Sequence, residues 1–334
     1  MTSNVDKLNS LWARGTELLG TEYAILGGAM SWVSDRHLVS AISNAGGFGV
    51  IACGGMTPDL LKAEIEATAE MTDKPFGVNL ITLHPDLDAL IDICKELKVT
   101  HVVLAGGLPT GPSIEKIKSF GAKLMCFAPT AVIAKKLVRS GVDAIIIEGS
   151  EAGGHIGPVS TSVLAQEILP VVDKVPVFIA GGIGRGEAIS SYLEMGASGA
   201  QLGTRFVVAE ECQAHENFKK AFIRASARDS VASVQIDQRF PVIPVRALKN
   251  AATEDFMKTQ QEVINRYHDG GIALDDGQME IEKYWAGALK QAVIDGDVEH
   301  GSVMAGQSVG MVKKVQPMQE IMDELVEQAR DYLA

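Results

Sequence analysis

Residues 175–206 read VPVFIAGGIGRGEAISSYLEMGASGAQLGTRF, and they hold one complete repeat of the fold. The run 177–180 is short and apolar, as a buried strand requires. A pair of glycines, Gly181 and Gly182, turns the chain. Residues 187–195 then show helical periodicity, and Gly196 stands where such a helix should stop. A second apolar run follows at 199–203. The order is strand, glycine turn, helix, glycine stop, strand.

The same alternation extends back to the start of the chain. Strand-like runs lie at 24–28, 48–52, 76–80, 101–105, 123–127 and 143–148, ahead of the two already named. Their starts are 20–34 residues apart, the length of a βα unit with its loops. Between them, residues 58–71 place Leu60, Leu61, Ile65 and Ala69 near one helical face, with Thr57 as N-cap before Pro58. Residues 131–140 read as another helix, closed by Gly141. Near-continuous apolar strands imply a sheet buried on both faces, and therefore a parallel one. Eight such repeats predict an α/β fold, a closed (β/α)8 TIM barrel. The rival is an open doubly wound sheet. That fold wants a phosphate-binding GxGxxG after its first strand, whereas GGIGRG at 181–186 follows the seventh.

Beyond Arg205 the pattern changes. Residues 207–223, 253–267 and 279–295 read as helices, broken by a Pro- and Arg-containing stretch at 238–249, and 317–332 reads as a last helix. The expected organisation is a barrel over 16–205, a mostly helical substrate-side subdomain over 206–312, and a C-terminal helix over 313–334 that packs back on the barrel.

Composition limits the function classes. The 334 residues include 30 basic and 42 acidic ones, a formal net charge of −12. That balance argues against nucleic acid, whose phosphates must be met by Lys or Arg. No apolar run of about 18 residues exists, so no membrane span is expected. The four cysteines, Cys53, Cys94, Cys126 and Cys212, form no CxxC pair and read as buried, reduced residues. With no signal-peptide pattern in MTSNVDKLNSLWARG, a cytoplasmic location is expected. The histidines lack HxH or HExxH spacing, so no metal site is expected.

Glycine is abundant, with 34 residues, and it clusters after strands: GGAM at 27–30, CGGM at 53–56, AGG at 105–107, EAGGHIG at 151–157, AGGIGRG at 180–186 and GTR at 203–205. In a barrel these turns share the C-terminal mouth, where active sites lie. Gly181 and Gly182 precede a helix start, whose free N–H groups favour an anion. Gly203 and Thr204 follow the eighth strand. Together the two turns form the expected phosphate grip of this fold. His155, in EAGGHIG, is the candidate for proton transfer. Asn79 ends the third strand with an amide that both donates and accepts, and Glu148 ends the sixth. Met30, Met56 and Met304 are candidate lining of an apolar pocket.

Six segments in order carry a resemblance: residues 27–52, DKPFGVNL at 73–80, GVDAIIIEGSEAGGHIG at 141–157, VPVFIAGGIGRG at 175–186, GAQLGTRF at 199–206 and GSVMAGQSVG at 301–310. The chain resembles the nitronate monooxygenase (2-nitropropane dioxygenase) superfamily, which includes the flavin-dependent enoyl-ACP reductases. The resemblance spans about residues 16–330. It implies FMN held without a covalent bond at the strand C-termini, its phosphate on Gly181, Gly182, Gly203 and Thr204. It sets Ala29 and Met30 beside the isoalloxazine, Asn79 on the ring edge, Gly153 and Ala180 in the lining, and Glu148 and Gln307 as further contacts. His155 matches the family's active-site histidine. One departure is Gly27, where the family commonly has glutamine.

The resemblance implies one of two reactions. The leading expectation is oxidation of alkyl nitronates with O2 to carbonyl compounds and nitrite. The alternative is an enoyl-ACP reductase using NAD(P)H as co-substrate. VRALKN at 245–250, EAGGHIG and the 296–312 segment are closer to the reductase pattern. Against it, a chain of net charge −12 is not an obvious dock for an acidic acyl carrier protein, although Lys249, Lys313 and Lys314 can contribute a local basic patch. The expected partners are a small-molecule substrate and O2, with acyl carrier protein and a second copy of the chain left open.

Overall fold

Eight parallel strands form the centre of the computed structural model, which describes residues 4–334. The first three residues of the N-terminal stretch lie outside it. The chain begins with α1 (Asn4–Leu19). It then alternates β1 (Ile25–Gly27), α2 (Arg36–Asn44), β2 (Gly49–Ala52), α3 (Pro58–Met71), β3 (Phe76–Ile81) and α4 (Leu87–Glu96). Next come β4 (His101–Ala105), α5 (Gly111–Ser119), β5 (Lys123–Phe127), α6 (Ala131–Arg139) and β6 (Ala144–Glu148). A two-residue strand, β7 (Gly154–His155), leaves the series before α7 (Thr161–Ile168), β8 (Val177–Ala180), α8 (Gly186–Glu194) and β9 (Gly199–Leu202).

The strand order β1-β9-β8-β6-β5-β4-β3-β2 is that of a barrel. A single bridge, Leu26 to Phe48, closes it, with Gly27 N–H donating to Phe48 O at 2.9 Å. The expected (β/α)8 barrel is therefore the observed one. Its strands are buried except at some ends, Ala144–Ile147 and Val177–Ala180 being buried throughout, which is why they read as apolar runs. The helix signals hold too. The Thr57 side chain accepts from Leu60 N–H, and Gly141 and Gly196 follow their helices at positive φ, +92° and +106°.

Three features differ from expectation. Helix α1 carries Leu8, Trp12, Gly15 and Leu19 inward. It covers the N-terminal end of the barrel, where a Cβ on Gly15 would lie 2.0 Å from Ser198 O and His101 Nε2 meets Leu18 O at 2.8 Å. Residues 207–215 are turns, and only α9 (Glu216–Arg224) is helical there. Val207, Val208 and Ala209 are nonetheless fully buried, so their apolar run reflects burial rather than helix. Lastly, β10 (Ser230–Ala232) and β11 (Val245–Leu248) join β7 in a three-stranded antiparallel sheet.

This sheet faces α10 (Ala251–His268) and α11 (Leu274–Lys290), which share a second, smaller core of Phe240, Val245, Phe256, Val263, Ile264, Ile281 and Trp285. Met304 touches both cores. The last helix, α12 (Met318–Tyr332), packs against α8, α2 and α1. There Gly186 N–H donates to Gln328 Oε1 at 2.9 Å and Ser190 Oγ to Ala329 O at 2.7 Å. A Cβ on Gly186 would lie 1.9 Å from Leu325 O, so nothing larger than glycine fits. Gly186→Ala should cost about 1–3 kcal/mol through overpacking, read as a lower denaturant midpoint at unchanged m-value.

Candidate active site

At the barrel mouth, burial steps from complete to partial at each strand end. Ile147 gives way to half-buried Glu148, Ala180 to Gly181 and Gly182, Leu202 to Gly203 and Thr204, and Gly28 to Ala29 and Met30. A basin therefore opens over β1, β6, β8 and β9. Glu148 pairs in register with Ala180, and Ala180 with Gln201, so these sit at one level. Asn79 lies across the mouth on β3, buried, its Nδ2 donating to Val103 O at 3.2 Å.

The rim is small and fixed. Gly181 and Gly182 have φ of +92° and +73°, a backbone that side chains resist. A Cβ on Gly203 would press to 3.3 Å from Met30 Sδ. Ser34 Oγ donates to Gly28 O and accepts from Met30 N–H, holding the Ala29–Met30 turn in place. The 302–307 segment closes one side. Thr204 Oγ1 accepts from Gly306 N–H at 2.9 Å, Gln307 N–H donates to Glu151 O at 2.9 Å, and a Cβ on Gly153 would meet Gly306 N at 2.7 Å. Glu151 stands beside Gly182, but its carboxylate is engaged by Thr161 N–H and Oγ1 at the start of α7.

His155 sits at the seam between barrel and outer sheet. Its Nε2 meets Glu282 Oε2 of α11 at 3.0 Å, and both side chains are about half exposed. A second tie from the same helix lies nearby: Lys290 Nζ is 5.2 Å from the centroid of Trp32, a ring held at φ +66° on the β1–α2 loop. Arg246 binds the inner face of the sheet to the barrel loop, donating to Ser150 O and Ser230 O at 2.8 and 2.7 Å.

Barrel atoms crowd Glu148 although part of it opens on the basin. Burial pushes its carboxyl up to about 7, and the charge of His155 works against that push. A carboxyl raised above its ordinary value of 4.5 favours the folded state at low pH, and that contribution disappears as pH rises through about 7. Thermal stability of the protein without added ligands should therefore fall over this window, and Glu148→Gln should flatten the decline.

The structure brings Ala29, Met30, Glu148, Gly153, Ala180, Gly181, Gly182, Gly203, Thr204 and Gln307 to one basin, with Asn79 at its far wall and His155 at its outer edge. Sequence reasoning missed Glu282, which stands 127 residues from His155 and follows no local pattern. It also missed Trp32 and Lys290. Arg246 was present in the VRALKN motif but unassigned. Among the described residues no group of three or more His, Cys, Asp or Glu side chains is placed to hold a metal ion, and no helix is long and apolar enough to cross a membrane.

The profile of the nitronate monooxygenase family matches residues 13–96 and 87–328. FabK from Thermotoga maritima is 35% identical, with a TM-score of 0.84 over 95% of this chain and 96% of that one. A 5-hydroxy-7a-methyl-1-oxo-octahydro-1H-indene-4-carboxyl-CoA dehydrogenase from Mycobacterium tuberculosis is 29% identical, covering 95% of this chain and 96% of the relative. A probable nitronate monooxygenase from Staphylococcus saprophyticus is 27% identical over 97% of this chain and 99% of that protein.

Proposed function

Because the chain belongs to the nitronate monooxygenase family and is an oxidoreductase of that family, we propose that it is an FMN-dependent reductase of 2-enoyl thioesters that takes its electrons from NAD(P)H. The observation that carries this reading is the likeness to FabK, an enoyl-ACP reductase, whose 35% identity over 95% of this chain exceeds the 27% over 97% of the probable nitronate monooxygenase. A relative whose name specifies a CoA thioester points the same way. This reverses the order of the two reactions expected from the sequence, and it agrees with the reductase-like motifs at 245–250, 151–157 and 296–312.

Charge supports the choice. A nitronate is an anion, and the nearest acidic side chain to His155 is the carboxylate of Glu282. A neutral enoyl thioester avoids that repulsion. Its phosphopantetheine arm is common to CoA and acyl carrier protein, so either carrier satisfies the site chemistry.

The residues present fit a flavin. The turns at Gly181, Gly182, Gly203 and Thr204 would hold the phosphate through backbone N–H groups and a hydroxyl, since positive φ at Gly181 and Gly182 and the close approach of Gly149, Glu151 and Met30 keep that backbone free of side chains. Ala29, Met30, Asn79, Gly153, Ala180, Glu148 and Gln307 would surround the ring. Bound FMN supplies hydride chemistry. What remains for the chain is to bind the thioester and deliver a proton to Cα while negative charge develops on the carbonyl oxygen. His155 is the group for that step. When both ring nitrogens carry protons, Glu282 takes the one on Nε2 and leaves the Nδ1 proton to donate. Glu282 thereby orients the ring.

Glu282→Gln should keep the flavin and lower kcat about tenfold with little change in KM. Anaerobic mixing tests the reaction itself. NAD(P)H should bleach the flavin rapidly, and crotonyl-CoA should restore its colour. Nitrite release from propyl-2-nitronate without NAD(P)H, with no reoxidation by the thioester, would overturn the proposal in favour of nitronate oxidation.

A further inference from the structure

A cavity of about 410 Å³ lies between the outer sheet and helices α10 and α11. Its walls include Val231, Val245, Ala247, Phe256, Met257 and Trp285, and exposed Lys249 and Glu254 also line it. That volume is in the range of small-molecule pockets. The indole N–H of Trp285 is buried and has no hydrogen-bond acceptor among the described residues.

One wall of the cavity, Val245, lies next to the proposed chemistry. Val245 is the cross-strand partner of His155, and Val231 that of Ala247. Residues directly opposite on antiparallel strands share a face, as do Val245 and Ala247 two positions apart. His155 is therefore on the cavity face of the sheet, one strand spacing from its apolar wall. On α11, Glu282 and Trp285 are three residues apart and lie on the same side. The His155–Glu282 pair thus sits beside an apolar hollow whose far walls are Phe256 and Met257.

Resting on the thioester reading above, we propose that this cavity receives the alkyl tail of the acyl group, and that the chain selects medium-length and longer enoyl thioesters over crotonyl-sized ones. An alkyl tail matches the aliphatic and aromatic walls. The charges of Lys249 and Glu254 lie at residues exposed to solvent, away from where the tail would be buried. A tail leaving the carbonyl near His155 would run past Val245, on the α11-facing side of the sheet, to reach the hollow.

The test compares KM for crotonyl-CoA and 2-decenoyl-CoA. The native enzyme should show a KM at least about tenfold lower for the longer chain, since each methylene added to an apolar pocket favours binding. Ala247→Leu, which fills the cavity floor, should bring the two values to within about twofold of each other. Met257→Trp, at a half-buried wall position, should do the same and serves if the leucine variant fails to fold. Equal KM values in the native enzyme, or a preference that survives in a folded variant, would overturn the proposal. Quenching of tryptophan fluorescence by saturated decanoyl-CoA gives a second readout without turnover. If that binding is present and is lost in Ala247→Leu while no enoyl thioester is reduced, the reductase reading fails and the acyl pocket stands. If enoyl thioesters are turned over with no chain-length preference and no decanoyl binding, the acyl pocket fails and the reductase reading stands.

Discussion

His155→Ala should lower kcat for enoyl thioester reduction by about a hundredfold to ten-thousandfold, the usual range for losing a positioned proton donor. Stability and flavin content should barely change. The side chain is about half exposed, sits in a two-residue strand, and makes one side-chain bond, to Glu282. Truncation removes little packing, and exposed positions of this kind usually move stability by no more than about 0.5 kcal/mol. The loss should appear in kcat and equally in kcat/KM, because proton delivery matters only as charge builds on the substrate. His155→Gln separates the two jobs of the ring: glutamine can still hydrogen-bond but cannot deliver a proton at neutral pH. If it is as slow as alanine, proton transfer is the lost function. An alanine variant that retains full turnover would remove His155 from the chemistry. Flavin bleaching by NAD(P)H should survive in both variants, since that half of the reaction asks nothing of the enoyl proton donor.

The barrel was legible because its physics is local. Each strand is covered on both faces, so it appears as a short apolar run, and each helix on its outside carries its own start and stop residues. Pro58–Met71 matches the expected helix at both ends for that reason. The mouth was legible through its glycines, whose positions after strands fix where backbone is bare. What could not be read depends on contacts between distant segments. Strand β7 is two residues long and gains its identity from β11, some ninety residues later. No periodicity survives in so short a piece. Residues 207–209 show the opposite error, an apolar run whose burial comes from packing as a turn rather than from a helical face. Helix α1 hides its signal because Gly15 occupies one inward position, chosen for close approach to Ser198 rather than for helix propensity. The pairing of His155 with Glu282 likewise exists only after the outer sheet and α11 have assembled.

Gly182→Val should strip the purified protein of flavin. Gly182 has φ +73°, a left-handed conformation that costs a residue with a Cβ about 1–2 kcal/mol, and a β-branched one most of all. A Cβ there would also approach Glu151 Cβ to 3.1 Å, in a segment that bonds to Gln307 and Thr161 and cannot retreat freely. The turn must shift, and any backbone N–H aimed at a phosphate shifts with it. Loss of one hydrogen bond to a charged group adds about 1.5–3 kcal/mol. The two costs together correspond to an FMN Kd weakened by on the order of a hundredfold or more. Gly182→Ala should fall between the native protein and valine. The control is Gly141→Ala. Gly141 has a similar φ, +92°, and a Cβ there meets nothing within 4 Å, but it follows α6 at the opposite end of the barrel. It carries the same kind of backbone strain without touching the mouth. If both variants are folded and only the Gly182 substitution loses the yellow chromophore, strain alone is excluded and the glycine turn after β8 holds the phosphate. Equal flavin retention in the two would place the phosphate elsewhere.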